Sequence, residues 1–299
     1  MFEGDLRLRI MKMWCYLTTI VCVIWLPGAV LAEQRIPLRS ESGSVLWNTL
    51  ILRELPVKLV VSPLLSDERQ AIVEFSSAEL EKCVKHEVLS HNIEISLKDE
   101  CVGKNRNISL IKGVGSNNRV IVNGDDMSKS DRFFSEDSTM TVYLPEGVTI
   151  VLEGAVDFST LKGFDRLSVK GSLLGIVSIA ELRELELKLD GAGEVYVAGG
   201  KDIQLELSGA GNCYIRGNTI ESLKLKLDGA MQCEVHPHLG NLDLQMFGVS
   251  STIFKKVLGH IRKIDLSGSA HADFCFGYPV SDDIQLSGAA RLGKVCVGN

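Results

Sequence analysis

The chain has 299 residues, of which 45% are hydrophobic and 23% are charged, and a net charge of −6. This length suits one long solenoid or two small domains. Lys and Arg form no cluster interleaved with aromatic residues, which argues against a nucleic-acid partner, and the acidic balance gives no attraction toward anionic lipid surfaces.

The first 32 residues have the pattern of a secretory signal peptide. Met13–Ala32 holds no charged residue, basic residues precede it, and small residues come before a cleavage site after Ala32. The protein is therefore predicted to be exported to the periplasm, the outer membrane or the exterior, with residues 33–44 as a linker and translation starting at Met1 or Met11. The alternative is an uncleaved anchor helix, because about twenty apolar residues can span a bilayer.

One all-β domain is predicted over residues 45–299. Its regular part, 141–299, follows irregular coils over 45–140 that include an insertion or long loop at 103–138. Ser77–Val88 is the best candidate for a short helix. Alternating apolar and polar residues predict the strands of the irregular part, which are Val57–Val61, Ala71–Phe75 and Ile93–Leu97.

A leucine–x–small–Gly–small motif recurs through the regular part at steps of 17 to 20 residues. Such a period indicates stacked structural units, and glycine suits the corner of each unit because it adopts positive φ without steric cost. Equal spacing favours a parallel β-solenoid, with about 20 residues and two short strands per coil, over a meander of antiparallel hairpins. The motif glycines are Gly154, Gly171, Gly191, Gly209, Gly229, Gly248, Gly268 and Gly288.

Period-two alternation around each glycine indicates strands with one buried and one solvent-facing side. Apolar residues two and four positions before the glycine, such as Leu189 and Leu187, are predicted to form inward columns from coil to coil. The outward residues between them alternate in charge along the stack, as Lys188, Glu206 and Lys226 do. These charges are interpreted as stabilising neighbouring coils rather than as binding a ligand.

Six of the eight cysteines lie beyond the predicted signal peptide, an even number that suits an oxidising compartment. Cys213 and Cys233 occupy the same inward slot of adjacent coils, four positions after the glycine, and are predicted to lie within disulfide range. Two small buried thiols are slightly favoured there over a bond. The three candidate pairs are Cys213–Cys233, Cys83–Cys101 and Cys275–Cys296.

Together these features resemble a bacterial family, the auto-transporter adhesins with a head GIN domain. The resemblance runs from about Val45 to Asn299 and is carried by LRELPVKLVV at Leu52–Val61, YLPEGVTIVLEGAVDF at Tyr143–Phe158 and the LxLxGAG repeats after it. It implies a pectate-lyase-type β-helix that acts in cell adhesion or envelope structure, without established catalytic residues. The chain departs from the family in its insertion and in Phe247 and Val249, which replace the small residues of one turn.

The sequence predicts no catalytic centre, metal site or cofactor. Glu153, Asp190 and Asp228 lie near the corner, but Asp190 and Asp228 are two coils, about 9.6 Å, apart. That distance is too long for one metal ion, and these acids are interpreted as turn-capping residues. His236 and His238 lack a third ligand at a sensible spacing. A polysaccharide lyase or hydrolase is the enzymatic alternative, because β-helices often carry that chemistry.

Tyr196 and Tyr214 are the candidate ligand contacts. They occupy the outward slot five positions after the glycine in neighbouring coils, so they are predicted to stack as an exposed aromatic pair. A packing pair that needs no ligand is the alternative. The leading hypothesis is an exported, non-enzymatic solenoid that acts as a cell-envelope or surface-interaction module. Its partner would be an unknown protein or glycan on a cell surface, and solenoid packing is compatible with a homo-oligomer.

Overall fold

The computed structural model describes residues 34–37, 48–53, 55, 57–64, 71–89, 92–98, 101, 121–122, 125–126, 139–256, 258–275 and 283–293. Within these residues the chain forms one helix, α1 (Ala78–Cys83), and 21 strands. In chain order the strands are β1 (Gln34–Pro37), β2 (Thr49–Arg53), β3 (Lys58–Pro63), β4 (Ile72–Phe75), β5 (Val84–Leu89), β6 (Asn92–Leu97), β7 (Ile121–Val122), β8 (Asp125–Asp126), β9 (Thr139–Leu144), β10 (Thr149–Ala155), β11 (Asp157–Thr160), β12 (Arg166–Ile179), β13 (Glu184–Val197), β14 (Asp202–Ile215), β15 (Thr219–Val235), β16 (His238–Met246), β17 (Ser251–Phe254), β18 (Leu258–Leu266), β19 (His271–Phe274), β20 (Ile284–Leu286) and β21 (Arg291–Gly293).

The strands wind into a parallel β-solenoid of about seven turns with about 19 residues per turn. The predicted fold class is confirmed, because each regular coil pairs in parallel with the next and not as an antiparallel hairpin. We call the strand segments before the corner the first face and those after it the second face. Strands β12 to β15 run through the corner without a break, whereas each later coil is divided there into two strands.

The first face buries a continuous apolar column. Leu187, Leu205 and Leu225 are register partners in successive strands and are fully buried. The column continues through Leu244 and Ile264. Burying a leucine side chain contributes about 1.5–3 kcal/mol, and one coil alone could not cover these residues, so the fold is stabilised by stacking.

The second face supplies the opposite wall of the core. Val195, Cys213 and Cys233 are register partners, and all three are buried. Further along the stack Phe254 and Phe274 lie parallel, with ring centroids 4.7 Å apart. The outward residues that alternate with these positions are thereby held at fixed heights along the solenoid.

Outward charges on the first face pair between coils as the sequence predicts. Lys188 Nζ lies 2.9 Å from Glu186 Oε1 and 3.6 Å from Glu206 Oε1 of the next coil. The hydrogen bond from Lys188 is the main cause that lowers the pKa of Glu186. Exposed ion pairs of this kind add little to stability, so their main effect is to favour the observed register.

The corner glycines stack on one another from Gly191 onward. Gly191, Gly209 and Gly229 are register partners with φ of 126°, 107° and 96°. A Cβ on Gly209 would collide with the carbonyl oxygen of Gly191, so the corner requires glycine both for its φ and for the close approach of two backbones. The column continues through Gly248, Gly268 and Gly288.

One predicted corner position is wrong. The motif puts Gly171 in the glycine column, but its register partner in the next coil is Leu189, which places it two residues before the corner. Leu173 stands between Gly154 and Gly191 instead. The steps from Gly154 to Leu173 and from Leu173 to Gly191 are 19 and 18 residues, so the uneven glycine step of 17 is the sequence signal of this shift.

The strands near the N-terminus do not stack in chain order. β2 and β3 lie between β10 and β11 on one side and β6 and β9 on the other, all in parallel pairing. β5 then pairs antiparallel with the outer edge of β6, and β4 pairs antiparallel with that of β9. The parallel stack therefore ends in antiparallel strands, an arrangement that the regular period does not predict.

Helix α1 connects these two antiparallel strands. Ser77 caps it, because its Oγ accepts a hydrogen bond of 3.1 Å from the backbone N–H of Leu80, and Leu80 is fully buried. The sequence predicts a helix over Ser77–Val88, but α1 ends at Cys83 and β5 begins at Val84. Pairing with β6 explains the early end, since tertiary contacts override a weak local propensity.

The structure joins Cys83 to Cys101 and Cys213 to Cys233 in disulfides, with Cα–Cα distances of 5.5 Å and 4.5 Å. The slight preference for two thiols at the second pair is wrong, because the parallel register sets these side chains next to each other on the inward side of adjacent strands. Cys296, the predicted partner of Cys275, lies outside the described residues. So do the predicted signal peptide and most of the predicted insertion.

Candidate functional site

The candidate site is built on the second face by two tyrosines. Tyr196 in β13 and Tyr214 in β14 are register partners that follow the inward residues Val195 and Cys213. Their rings stack with centroids 4.9 Å apart and an interplanar angle of 14°. This distance is close to the strand spacing of about 4.8 Å, so the stack follows directly from the parallel register.

The ring planes of the pair are crossed by the long axis of the solenoid, because the rings stack from coil to coil. One face of Tyr214 is turned toward Tyr196, and the Arg216 guanidinium carbon lies 5.8 Å from the Tyr214 ring centroid. The outer face of Tyr196 is turned toward the preceding coil, where the register partner is Ser178. A serine is too short to cover a phenol ring, and the Tyr196 side chain is 38% exposed.

An open slot of about 340 Å³ lies beside Tyr196. We call it the tyrosine slot. Small side chains from successive coils line it because the residues facing outward there are serine, threonine and alanine. The residues that define the slot are Thr160, Ser178, Ala180, Tyr196, Ala198 and Arg216.

A carboxylate fixes the orientation of the Tyr196 ring. The Tyr196 hydroxyl donates a hydrogen bond of 2.7 Å to Glu194 Oε2. This bond is the main cause that raises the pKa of Tyr196 to about 12, from an ordinary value of 10.0. The phenol therefore keeps its proton at neutral pH, and a carboxylate stands at the outer tip of the ring.

Charged groups continue the site beyond Tyr214. Arg216 Nη1 lies 2.6 Å from His236 Nε2, and the same nitrogen of His236 lies 3.1 Å from Glu234 Oε2. The hydrogen bond with His236 is the main cause that lowers the pKa of Glu234. One imidazole nitrogen can either donate to the carboxylate or accept from the guanidinium, so this cluster can rearrange its hydrogen bonds when the surroundings change.

Exposed apolar side chains surround the slot. Seven large hydrophobic residues are exposed within the described part of the chain. Leu161, Leu174, Ile176 and Tyr196 are four of them and belong to neighbouring coils, with exposures of 50%, 41%, 40% and 38%. The second face near the tyrosine slot is therefore more apolar than a solvated sheet face needs to be.

The acids considered for catalysis are dispersed. Asp190 and Asp228 are separated by Ser208 in the register, as the sequence predicts. Asp190 is expected to cap its own turn, but its Oδ1 accepts a hydrogen bond of 2.9 Å from the Ser208 hydroxyl of the next coil. Glu153 Oε2 accepts one of 2.7 Å from Arg53 Nε. Among the residues that the structure describes, no group of three or more His, Cys, Asp or Glu side chains could hold a metal ion.

The sequence pointed to both tyrosines but not to the slot. Counting five residues from Gly171 leads to Ile176, whereas counting from the true corner at Leu173 leads to Ser178. With the corner misplaced, the small residue beside Tyr196 could not be recognised. The signal was the change from serine to tyrosine along one outward column.

Comparison with known proteins adds support for the fold. No protein-family model matches the chain, and no curated protein matches it. The solved structure of a "putative lipid binding protein" from Parabacteroides distasonis is similar, with a TM-score of 0.51 and 14% identity, over 88% of this chain and 97% of that one. A "putative adhesin" from Parabacteroides merdae has a TM-score of 0.48 and 11% identity, over 89% and 96% of the two chains. At 14% identity the first likeness supports the solenoid architecture and does not extend to function. Within the described residues, no helix combines the length and apolar character needed to cross a membrane.

Proposed function

We propose that this protein is an exported, non-enzymatic β-solenoid that acts as a surface-interaction module through its second face. The observation that carries the proposal is the tyrosine slot with its apolar surroundings, because clustered exposed apolar side chains on a soluble surface commonly mark a binding site. The rigid stack beneath it holds the contact residues in place without any ligand. A solenoid offers such an extended surface by repetition of its backbone.

Two features of the sequence support this proposal. The predicted signal peptide over residues 1–32 supports export, and the resemblance to adhesins with a head GIN domain supports a role at the cell surface or in the envelope. Two disulfides in the described part of the chain agree with an oxidising compartment. Export itself is tested by sequencing the mature N-terminus, which should be Glu33. An N-terminus at Met1 or Met11, with the protein in the membrane fraction, would favour the anchored alternative.

The interaction function is tested with beads that carry the purified protein. Wild-type beads should attach to at least one surface in a panel of bacterial and animal cells. The double variant Tyr196→Ala, Tyr214→Ala should lose most of that attachment. Gln232→Ala is the matched control, because Gln232 is exposed on the same face and pairs with Asn212 away from the rings. Attachment of wild-type beads no better than albumin-coated beads would contradict the proposal.

The enzymatic alternative, a polysaccharide lyase or hydrolase, has its own test. Purified protein is incubated with uronate and neutral glycans, and new chain ends are counted. We expect no cleavage. Cleavage that disappears in Asp190→Ala or Asp228→Ala would replace the interaction hypothesis with an enzymatic one.

A further inference from the structure

The tyrosine stack ends at a position that leaves room for one more ring. Tyr214 and Tyr196 occupy one outward column, and the next place in that column belongs to Ser178. The space that a third aromatic side chain would fill is the tyrosine slot. A flat ring lying in the slot at the same spacing as the first two would therefore cover the outer face of Tyr196.

We propose that the tyrosine slot binds a neutral pyranose ring of a glycan, stacked on the outer face of Tyr196. This inference rests on the proposed interaction function and deepens it by naming the class of ligand. A pyranose has an apolar face of C–H groups and a rim of hydroxyls. Its apolar face suits the phenol ring, and the small side chains of Ala180 and Ala198 leave its edge unobstructed.

The polar groups at the slot match a rim of hydroxyls. Glu194 lies at the tip of the Tyr196 ring, where its carboxylate already accepts one hydrogen bond and has lone pairs for more. The Ser178 hydroxyl lies at the base. An aromatic side chain from a protein partner would bring a C–H edge to these groups and remove their water without replacing its hydrogen bonds, which is unfavourable. A sugar replaces those hydrogen bonds.

The charges favour a neutral sugar over an acidic one. Glu194 is the charged group at the exposed tip of Tyr196, and a ligand carboxylate there would face a like charge. Arg216, the cation of the slot, already lies over Tyr214 and close to His236. An anionic ligand would have to compete for it with these contacts. The slot therefore selects a ligand that donates hydrogen bonds and carries no negative charge.

The binding test uses the purified protein and defined oligosaccharides. Saturation-transfer difference NMR is recorded with neutral trisaccharides of glucose, mannose, galactose and N-acetylglucosamine, and with trigalacturonate as the acidic comparison. We expect transfer to the C–H protons of one face of a neutral ring. Tyr196→Ala should weaken binding about tenfold, the loss expected for one stacking contact with its buried area, while Gln232→Ala should bind as the wild type does.

A second variant keeps the test independent of lost stability. Ser178→Phe places a ring of the protein itself on Tyr196, so it should fold normally and abolish sugar binding. Undiminished binding in Ser178→Phe, no signal from any neutral sugar, or signal from trigalacturonate alone would each overturn the proposal. Bead attachment measured on the same variants separates the two hypotheses. Beads that still attach through Tyr196 and Tyr214 without any sugar signal would leave the interaction function standing and eliminate the pyranose.

Discussion

A methyl group added at the corner should separate two coils. Gly209 has φ of 107°, a conformation that costs a residue with a side chain about 1–3 kcal/mol. In Gly209→Ala the new Cβ would also collide with the Gly191 carbonyl oxygen. A backbone atom inside a parallel ladder cannot rotate away, so relief requires the strands to move apart, at a further cost of about 1–3 kcal/mol for overpacking.

The expected loss for Gly209→Ala is the sum of these costs, about 2–6 kcal/mol in the free energy of unfolding. Gly147→Ala is the matched control, because Gly147 also has positive φ, 82°, but no atom lies within 4 Å of the place that an alanine Cβ would take there. It should show only the conformational cost, about 1–3 kcal/mol. Guanidinium unfolding followed by far-ultraviolet circular dichroism measures both. Faster amide exchange in β13 and β14 of Gly209→Ala would locate the damage.

The reasoning about the corner would be refuted if Gly209→Ala destabilised the protein no more than Gly147→Ala does. That result would mean that the two backbones separate without loss of the ladder. The glycine column would then reflect φ alone and not the close approach of successive coils.

Three further outcomes follow from the structure. Leu205→Ala should lower the free energy of unfolding by about 2–5 kcal/mol, measured by guanidinium unfolding, because it leaves a cavity in the first-face column. Replacing Cys213 and Cys233 together by alanine should lower it by about 2–4 kcal/mol in the same assay, since the bond closes a loop of 20 residues; equal stability of the variant and the oxidised wild type would contradict this. Glu194→Gln should move the pKa of Tyr196 from about 12 toward 10.0, measured by NMR titration of ¹³C-labelled tyrosine. Because the folded pKa is raised, the Tyr196–Glu194 bond stabilises the fold below about pH 10 and is lost as the pH rises through about 12.

The repeat was predictable because its causes are local. Alternation around Leu187 and Leu189 marks an inward and an outward side of a strand, and the repeated glycines mark a sharp corner, whatever the rest of the chain does. Stacking then follows from burial, since a single coil cannot cover its own apolar row. The stacked pair of Tyr196 and Tyr214 could be predicted for the same reason, as both lie at one offset in adjacent coils.

Features that depend on register between distant segments were not predictable. Gly171 fits the motif by itself, and only its pairing with Leu189 shows that Leu173 holds the corner. That shift of two residues keeps the same side of the strand inward, because side chains alternate with a period of two, so the apolar pattern looks equally good either way.

The sequence by itself determined a parallel stack with one buried column and one aromatic pair, because each repeat carries the same local pattern of burial and the same glycine corner. Only the tertiary structure decided the order of the N-terminal strands, the disulfide between Cys213 and Cys233, and the slot beside Tyr196. Each of these depends on which residue of one coil lies against which residue of another. That choice is made by the packing of the whole stack and leaves no periodic trace along the chain.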